Sequence, residues 1–478
     1  MPGFEKNNFD IQTKMIKIHK KNILLLTLIV TLILLSIWLV LNEQQKIDNL
    51  KELAKNYYKL VDKEAKRHAV RIFFSAFTSN ALISSKLGSE SINSKKLNGL
   101  TKNDIKNLIS YGTLQLNSIS KHVYTDKDFS IGFTREIPSY GNEYKLFYLK
   151  NGECCSEFNL KRLFQPLDLS KQVDLNKIQI TDLNESIVNN KQFINIILTI
   201  SSNEKNYQAF KFFMQSFYFN SIKRKENFEN TLTIVFGYES TDKVLTQKFE
   251  KIFDYFINDL NFDRLKIVRI VNDKYSRAKF IDIGVNSCCP KEKSLIFVTD
   301  IDVYFDFGFL NLCRLNAIEG KKVFYPILFS LYNPNVRNNN TVNIDDETFE
   351  IDLDKFNKKM LAMNIKISNS NGYWRESGYG MVCLYKKDYL NIGGFGKYKR
   401  VRGWGGEDVY LAERFYSKGY DLFRAITPGL YHLYHKKECV RKELGIRRYK
   451  ACVQIKIKNE ASQMVLGYLF FNKTEFLK

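Results

Sequence analysis

The sequence predicts an α/β domain with an open, mostly parallel, Rossmann-like sheet, preceded by one transmembrane helix and a partly helical stem. Three observations lead there. After about residue 190, short apolar runs recur at 193–200 (FINIILTI), 231–236 (TLTIVF), 265–271 (LKIVRIV) and 294–299 (SLIFVT), which read as buried parallel strands. Stretches of helical character separate them, at 205–219, 243–260 and 276–287, and such alternation argues for βαβ units. Nearer the N-terminus, Ile23–Leu41 is apolar apart from Thr27, Thr31 and Ser36. With 44% hydrophobic and 14% aromatic residues in 478, the chain can build a large core, which excludes intrinsic disorder.

Along the chain, residues 1–21 read as a cytosolic tail and 22–42 as a signal anchor. Nineteen residues at helical rise cross roughly 30 Å of hydrocarbon. The next residues, Asn42-Glu43-Gln44-Gln45, show no small-residue cleavage pattern. Lys14, Lys17, Lys20 and Lys21 flank the near side without an acid among them, whereas Lys46 and Lys51 on the far side are offset by Glu43, Asp48 and Glu52. The positive-inside rule then translocates everything beyond about residue 42. Residues 43–190 read as a luminal stem. Its first part spaces Ile47, Leu50, Ala54, Tyr57 and Val61 as a short membrane-proximal helix, through which the chain would form a homodimer. The domain proper runs from 191 to 478.

On an oxidising side the eight cysteines can pair fully, but their connectivity is not readable from the chain. Their spacing does not resemble a zinc site. Asn184, Asn339 and Asn472 head N-x-S/T sequons. The net charge of +22 suggests an anionic partner or a surface composition bias, and translocation removes nucleic acid from the candidates.

In open α/β sheets ligands bind beyond the carboxyl ends of the strands. Thr299 leads directly into Asp300-Ile301-Asp302, two hard oxygen ligands on the same side of an extended chain and suited to Mn²⁺ or Mg²⁺. Such a pair occurs often by chance; its place after an apolar strand gives it weight. Farther along is Trp404-Gly405-Gly406-Glu407-Asp408, where adjacent glycines admit close backbone approach and a carboxylate can serve as general base. The bland alternative is an acid complementing a helix dipole. His432-Leu433-Tyr434-His435 places two of the five histidines three apart, as metal ligands would be, although a lone histidine is usually structural.

From about residue 190 onward the chain resembles the chondroitin N-acetylgalactosaminyltransferases, within the β4-galactosyltransferase-like, GT-A-type transferases. The matching stretches are SRAK (276–279), FVTDIDVYF (297–305), FLNLCRLN (309–316), GKKVFYPILFSLYNP (320–334), GYGMVCLYKKDYLNIGGF (378–395), GWGGEDVYL (403–411), GLYHLYHKKEC (429–439) and KNEAS (458–462), in family order. The resemblance implies a nucleotide-sugar-binding fold and an inverting transfer of GalNAc from UDP-GalNAc, β1,4, to a glucuronate-terminated proteoglycan acceptor. It also implies a Golgi type II membrane protein.

Residue by residue, Asp302, His435 and His432 resemble the metal ligands, for Mn²⁺. Asp300, Arg277 and Lys279 resemble donor-binding residues, Asp408 the catalytic base, and Glu407 the neighbour that orients the acceptor. Trp404 resembles the aromatic residue between the donor phosphates and the acceptor. Gly380, Gly405 and Gly406 fall where backbone comes close to substrate. One departure is plain: relatives carry Pro and Arg in the loop after the first strand, where this chain has Thr199 through Lys205 with neither. Other readings are chain polymerisation, transfer of a different sugar, or a non-catalytic partner of a chondroitin synthase. The last would be expected to lose the acids at 300–302 or 407–408, and both pairs are present.

Overall fold

A computed structural model describes residues 73–83, 94–120, 123–137, 141–150, 153–163, 178–182, 193–223, 230–289, 294–338, 349–396 and 406–475. The expected tail, anchor and proximal helix lie outside them, as do Trp404, Gly405, Asn184 and Asn339; Asn472 falls within the helix Gln463–Glu475. Among the described residues, no helix is long and apolar enough to cross a membrane.

Two sheets form. The first consists of β1 (Ser75–Phe77), β2 (Ala81–Ile83), β3 (Lys95–Lys96), β4 (Phe129–Ile137), β5 (Gly141–Lys150), β6 (Glu153–Leu163) and β7 (Ile178–Asp182), antiparallel throughout in the order 3-2-1-4-5-6-7. The described part of the stretch expected as a partly helical stem carries these strands together with the helix Gly99–Ile119, which is laid on them. Leu108, Ile109 and Leu116 of that helix pack on Leu146, Tyr148 and Phe158. The apolar positions of these strands alternate over short spans, a weak signal that only pairing with neighbours resolves.

The second sheet holds β8 (Ile194–Ser201), β9 (Thr231–Tyr238), β10 (Leu265–Val271), β11 (Leu295–Thr299), β12 (Val303–Phe305), β13 (Lys322–Leu331), β14 (Gly372–Trp374), β15 (Val382–Tyr385) and β16 (Asp421–His432). Its order is 10-9-8-11-15-13-16-12, with β14 on β13. Strands 10, 9, 8 and 11 run parallel, but β15 is antiparallel to both β11 and β13. The sheet is therefore mixed rather than mostly parallel: all four runs read from the sequence lie in its parallel half. Strand β8 is buried along nearly its whole length, as an unbroken apolar run in a central strand should be. The expected burial does not extend to β10, which is the edge, with Lys266, Arg269 and Val271 open.

The helices Glu204–Phe217, Lys243–Asp254 and Arg277–Cys288 fall on the expected stretches. The first two are capped by the side chains of Asn203 and Asp242, which accept from Asn206 and Leu245 N–H, and each runs on into a π-helical turn.

The two sheets share one core. Phe74 bridges to Ala425 of β16: its N–H donates to the Arg424 carbonyl and its own carbonyl accepts from Ile426 N–H, both at 2.9 Å. Phe74, Phe133 and Phe147 join the apolar cluster that holds Ile196, Phe324 and Phe423. Beside them lies a buried ionic group, in which the Lys145 ammonium is 3.3 Å from the Glu157 carboxylate with Lys322 nearby. Disulfides join Cys313 to Cys383 and Cys439 to Cys452.

Candidate active site

A cavity of about 590 Å³ opens beyond the carboxyl ends of β8 and β11. Strand β11 is fully buried and ends at Thr299, so the chain emerges at the carboxyl end of this interior strand as Asp300 and Asp302. The helix Glu407–Ser417 delivers Glu407 and Asp408. It begins at Gly406, whose φ of 95° is one that a side chain would resist. The end of β16 and the turn after it deliver His432 and His435.

Asp302, His432 and His435 converge. The Asp302 Oδ2 lies 3.0 Å from His435 Nε2 and 3.5 Å from His432 Nε2, and the three ligand atoms fall within 4.8 Å of one another. His432 Nδ1 pairs with the Ser330 hydroxyl at 3.2 Å, which leaves Nε2 directed at Asp302. Burial, then the nearby Arg375, push His432 down to about 4, so its ring is neutral at pH 7 and able to bind a cation. Burial would raise Asp302, but the two imidazoles hold it well below the usual carboxylate range. A carboxylate oxygen and two imidazole nitrogens fit a divalent transition ion such as Mn²⁺.

Asp300 faces the other way. Its Oδ1 accepts from Arg277 Nε at 2.8 Å, and Arg277 Nη2 donates to the Gly380 carbonyl, also at 2.8 Å. Burial raises Asp300, with Asp302 and Asp408 adding to the effect and Arg277 opposing it. A Cβ at 380 would lie 3.6 Å from Arg277 and 3.7 Å from Asp300, in ordinary contact, so the glycine keeps that space open rather than relieving a clash. Lys279 pairs with Asp273 and does not line the cavity.

Asp408 also lines the cavity. Its Oδ1 accepts from Val409 N–H at 2.9 Å and its Oδ2 from Tyr379 N–H at 3.2 Å, so the carboxylate is held while one face stays open. Burial raises the neighbouring Glu407. Behind them the buried Arg424 guanidinium stacks 3.9 Å from the Tyr379 ring centroid and donates to the Glu376 carbonyl.

The cavity also gathers residues that sequence pattern does not mark. Thr199 and Tyr275 share a hydrogen bond of 2.8 Å at its rim, and Arg375, Lys437 and Lys458 line it as well. Lys437 and Lys458 lie inside stretches that carry the family resemblance, and Lys437 stands only two residues from His435, a proximity that could have drawn attention to it. After β8, Asn203 caps the helix Glu204–Phe217, and Lys205 in its first turn pairs with Glu438.

A profile of the family described as chondroitin N-acetylgalactosaminyltransferase matches residues 12–466. The chain belongs to that family. Human chondroitin sulfate N-acetylgalactosaminyltransferase 2 is 34% identical over 353 residues, which cover 74% of this chain and 58% of that protein. Human chondroitin sulfate N-acetylgalactosaminyltransferase 1 is 33% identical over 355 residues, covering 74% and 59%. Human chondroitin sulfate synthase 3 is 30% identical over 263 residues, covering 52% and 26%. The chain spans just under three fifths of the length of the first two. Among solved structures, residues 1–349 of TarS from S. aureus align with a TM-score of 0.30 and 11% identity over 51% of this chain and 60% of that one. Glucosyl-3-phosphoglycerate synthase from Mycobacterium tuberculosis, in complex with Mg²⁺ and uridine diphosphate, gives 0.29 and 10% over 58% and 83%. Likenesses this slight bear on neither fold nor function.

Proposed function

We propose that the protein is an inverting, metal-dependent hexosyltransferase that moves GalNAc from UDP-GalNAc to the 4-hydroxyl of a glucuronate-terminated chondroitin acceptor. One observation carries this reading: Asp408 and the Asp302–His432–His435 cluster open on the same cavity, with the Asp300–Arg277–Gly380 bridge on its wall. Asp408 takes the proton from the acceptor hydroxyl. The freed oxygen forms a bond to C1 of the donor sugar as the C1–O bond to UDP breaks, and its electron pair leaves with the diphosphate. One displacement turns an α-linked donor into a β-linked product. Asp302, His432 and His435 would hold the divalent ion, which when bound offsets negative charge on the departing diphosphate. Glu407, kept beside Asp408 by the first turn of the helix, orients the acceptor. Residues 22–42 would anchor the chain in the Golgi membrane with this domain in the lumen.

The test is a donor screen with the purified protein, Mn²⁺, a glucuronate-terminated acceptor and each UDP-sugar in turn. Transfer is expected from UDP-GalNAc and to depend on added Mn²⁺. Turnover with another UDP-sugar instead would refute the donor assignment, and none with any donor would refute the enzymatic reading.

A further inference from the structure

A buried charge on β16 stands behind the site and takes no part in the chemistry proposed above. The strand is apolar along most of its buried length, yet it carries Arg424, which is only 7% exposed. Desolvating a guanidinium is costly unless its surroundings engage it. Arg424 pairs in register with Tyr325 of β13, so both side chains rise from the same face of the sheet. Val323, Tyr325, Leu411, Ala412 and Phe415 belong to one apolar cluster, with Tyr379 packed against it. The helix Glu407–Ser417 therefore rests on that face through its buried side.

Residues 375–381 connect β14 to β15 and supply two backbone groups that set the site. The Tyr379 N–H donates to Asp408 Oδ2 at 3.2 Å, and the Gly380 carbonyl accepts from Arg277 Nη2 at 2.8 Å. The Gly380 end thus has its own anchor. The Tyr379 end is held by Arg424, whose guanidinium lies 3.9 Å from the Tyr379 ring centroid and whose Nη2 donates to the Glu376 carbonyl. The Tyr325 and Tyr379 rings pack edge to face, their centroids 5.6 Å apart. Asp408 accepts its other bond from Val409 N–H, within its own helix, so the Tyr379 N–H is the contact that sets the carboxylate against a separate element.

We propose that Arg424 is a positioning residue for Asp408: by gripping the Tyr379 ring and the Glu376 carbonyl it fixes the peptide whose N–H orients the Asp408 carboxylate toward the acceptor hydroxyl. This rests on the functional reading above. A general base must lie within hydrogen-bond reach of the proton it takes, and a small misplacement lowers the rate of the chemical step. Without its clamp the Tyr379 peptide can shift, and the carboxylate is then free to rotate away from the acceptor. A lysine would keep a charge over the ring but lacks the planar fork that reaches the Glu376 carbonyl at the same time.

The experiment measures transfer by the full chain and by its Arg424→Met, Arg424→Lys and Tyr379→Leu variants, with UDP-GalNAc, Mn²⁺ and a glucuronate-terminated acceptor. Arg424→Met should lower kcat about tenfold, the scale of one hydrogen bond to a charged group, and leave the donor KM unchanged because Arg277 still holds Gly380. Arg424→Lys should recover part of the loss, and Tyr379→Leu should reproduce it. In an Asp408→Asn background Arg424→Met should lower kcat by less than about twofold further, because the group it positions is already gone. Two losses that multiply in full would overturn the proposal, since Arg424 would then act elsewhere. So would a raised donor KM at unchanged kcat, which would place its effect on the donor side. If Arg424→Met fails to fold, Arg424→Lys and Tyr379→Leu carry the same comparison. Should no UDP-sugar be transferred at all, the functional reading fails, and hydrogen exchange followed by mass spectrometry still decides the positioning. Faster exchange in the peptide that holds Tyr379, with the helix Glu407–Ser417 unchanged, supports the clamp, and equal exchange in wild type and variant overturns it.

Discussion

Replacing Arg277 by Met would remove two hydrogen-bond donors while keeping most of the buried volume. Arg277 Nε reaches Asp300 Oδ1 at 2.8 Å and Nη2 reaches the Gly380 carbonyl at 2.8 Å. Hydrogen bonds to charged groups contribute about 1.5–3 kcal/mol each. The Asp300 side chain is 32% exposed, so the lower figure applies, giving a loss of about 3 kcal/mol for the pair. Asp300→Asn removes only the ionic contact and should lose about 1.5 kcal/mol. Because both changes break the same bond, the double variant should lose about 3 kcal/mol, a coupling of about 1.5 kcal/mol. The assay is urea denaturation of the full chain with chelator present, followed by tryptophan fluorescence, since Trp374 is buried near this cavity. Arg277→Met and the double variant should also weaken UDP binding, because the Gly380 carbonyl loses the donor that fixes it. Losses that add to within about 0.5 kcal/mol would refute the reasoning, since they would mean Arg277 and Asp300 stabilise the fold independently.

Asp408→Asn should lower kcat by roughly 10²–10⁴-fold, the usual contribution of a positioned base, and leave UDP–Mn²⁺ affinity intact by calorimetry; near-normal turnover would remove Asp408 from its role. Asp302→Ala and His432→Ala should each abolish tight Mn²⁺ binding measured by electron paramagnetic resonance, and rescue at excess Mn²⁺ would argue against direct ligation. Glu157→Gln should destabilise the protein by about 3 kcal/mol at pH 7, because it leaves Lys145 and Lys322 buried without their acid. Burial would raise the Glu157 carboxyl, but Lys322 and Lys145 hold it below its ordinary value; its stabilisation is thus present above the unfolded carboxyl pKa and lost as pH falls through the lower folded one. The gap between wild type and Glu157→Gln in denaturant midpoint should therefore narrow in acid, and a gap independent of pH would contradict the ionic account. If the basic surface steers a polyanionic acceptor, the acceptor KM should rise with salt, whereas a flat response would assign the +22 charge to composition.

Much of the site was legible because each piece lies within a few residues of chain. Asp300 and Asp302 follow a buried strand, Glu407 and Asp408 open a helix, and His432 and His435 sit three apart, so local pattern marks them. The strands β8, β9, β10 and β11 announced themselves by apolar runs, yet a run cannot tell a central strand from an edge, and β10 proved to be the edge. Strands β13, β15 and β16 are also apolar, but their directions depend on which strands they meet, and that made the sheet mixed.

The sequence by itself determined the acids, the imidazoles and the helix starts that carry them, because ligand identity and capping are set by residues close in the chain. It also determined the family. Only the tertiary structure decided that strands β1 to β7 form an antiparallel sheet on the same core, since Phe74 on β16, and Glu157 beside Lys322, are contacts across more than a hundred residues. The same holds for the Cys313–Cys383 and Cys439–Cys452 pairings, and for the gathering of Arg375, Lys437 and Lys458 on one cavity. Spacing along the chain carries no information about such contacts; they arise from how two sheets and a C-terminal helix close around a shared space.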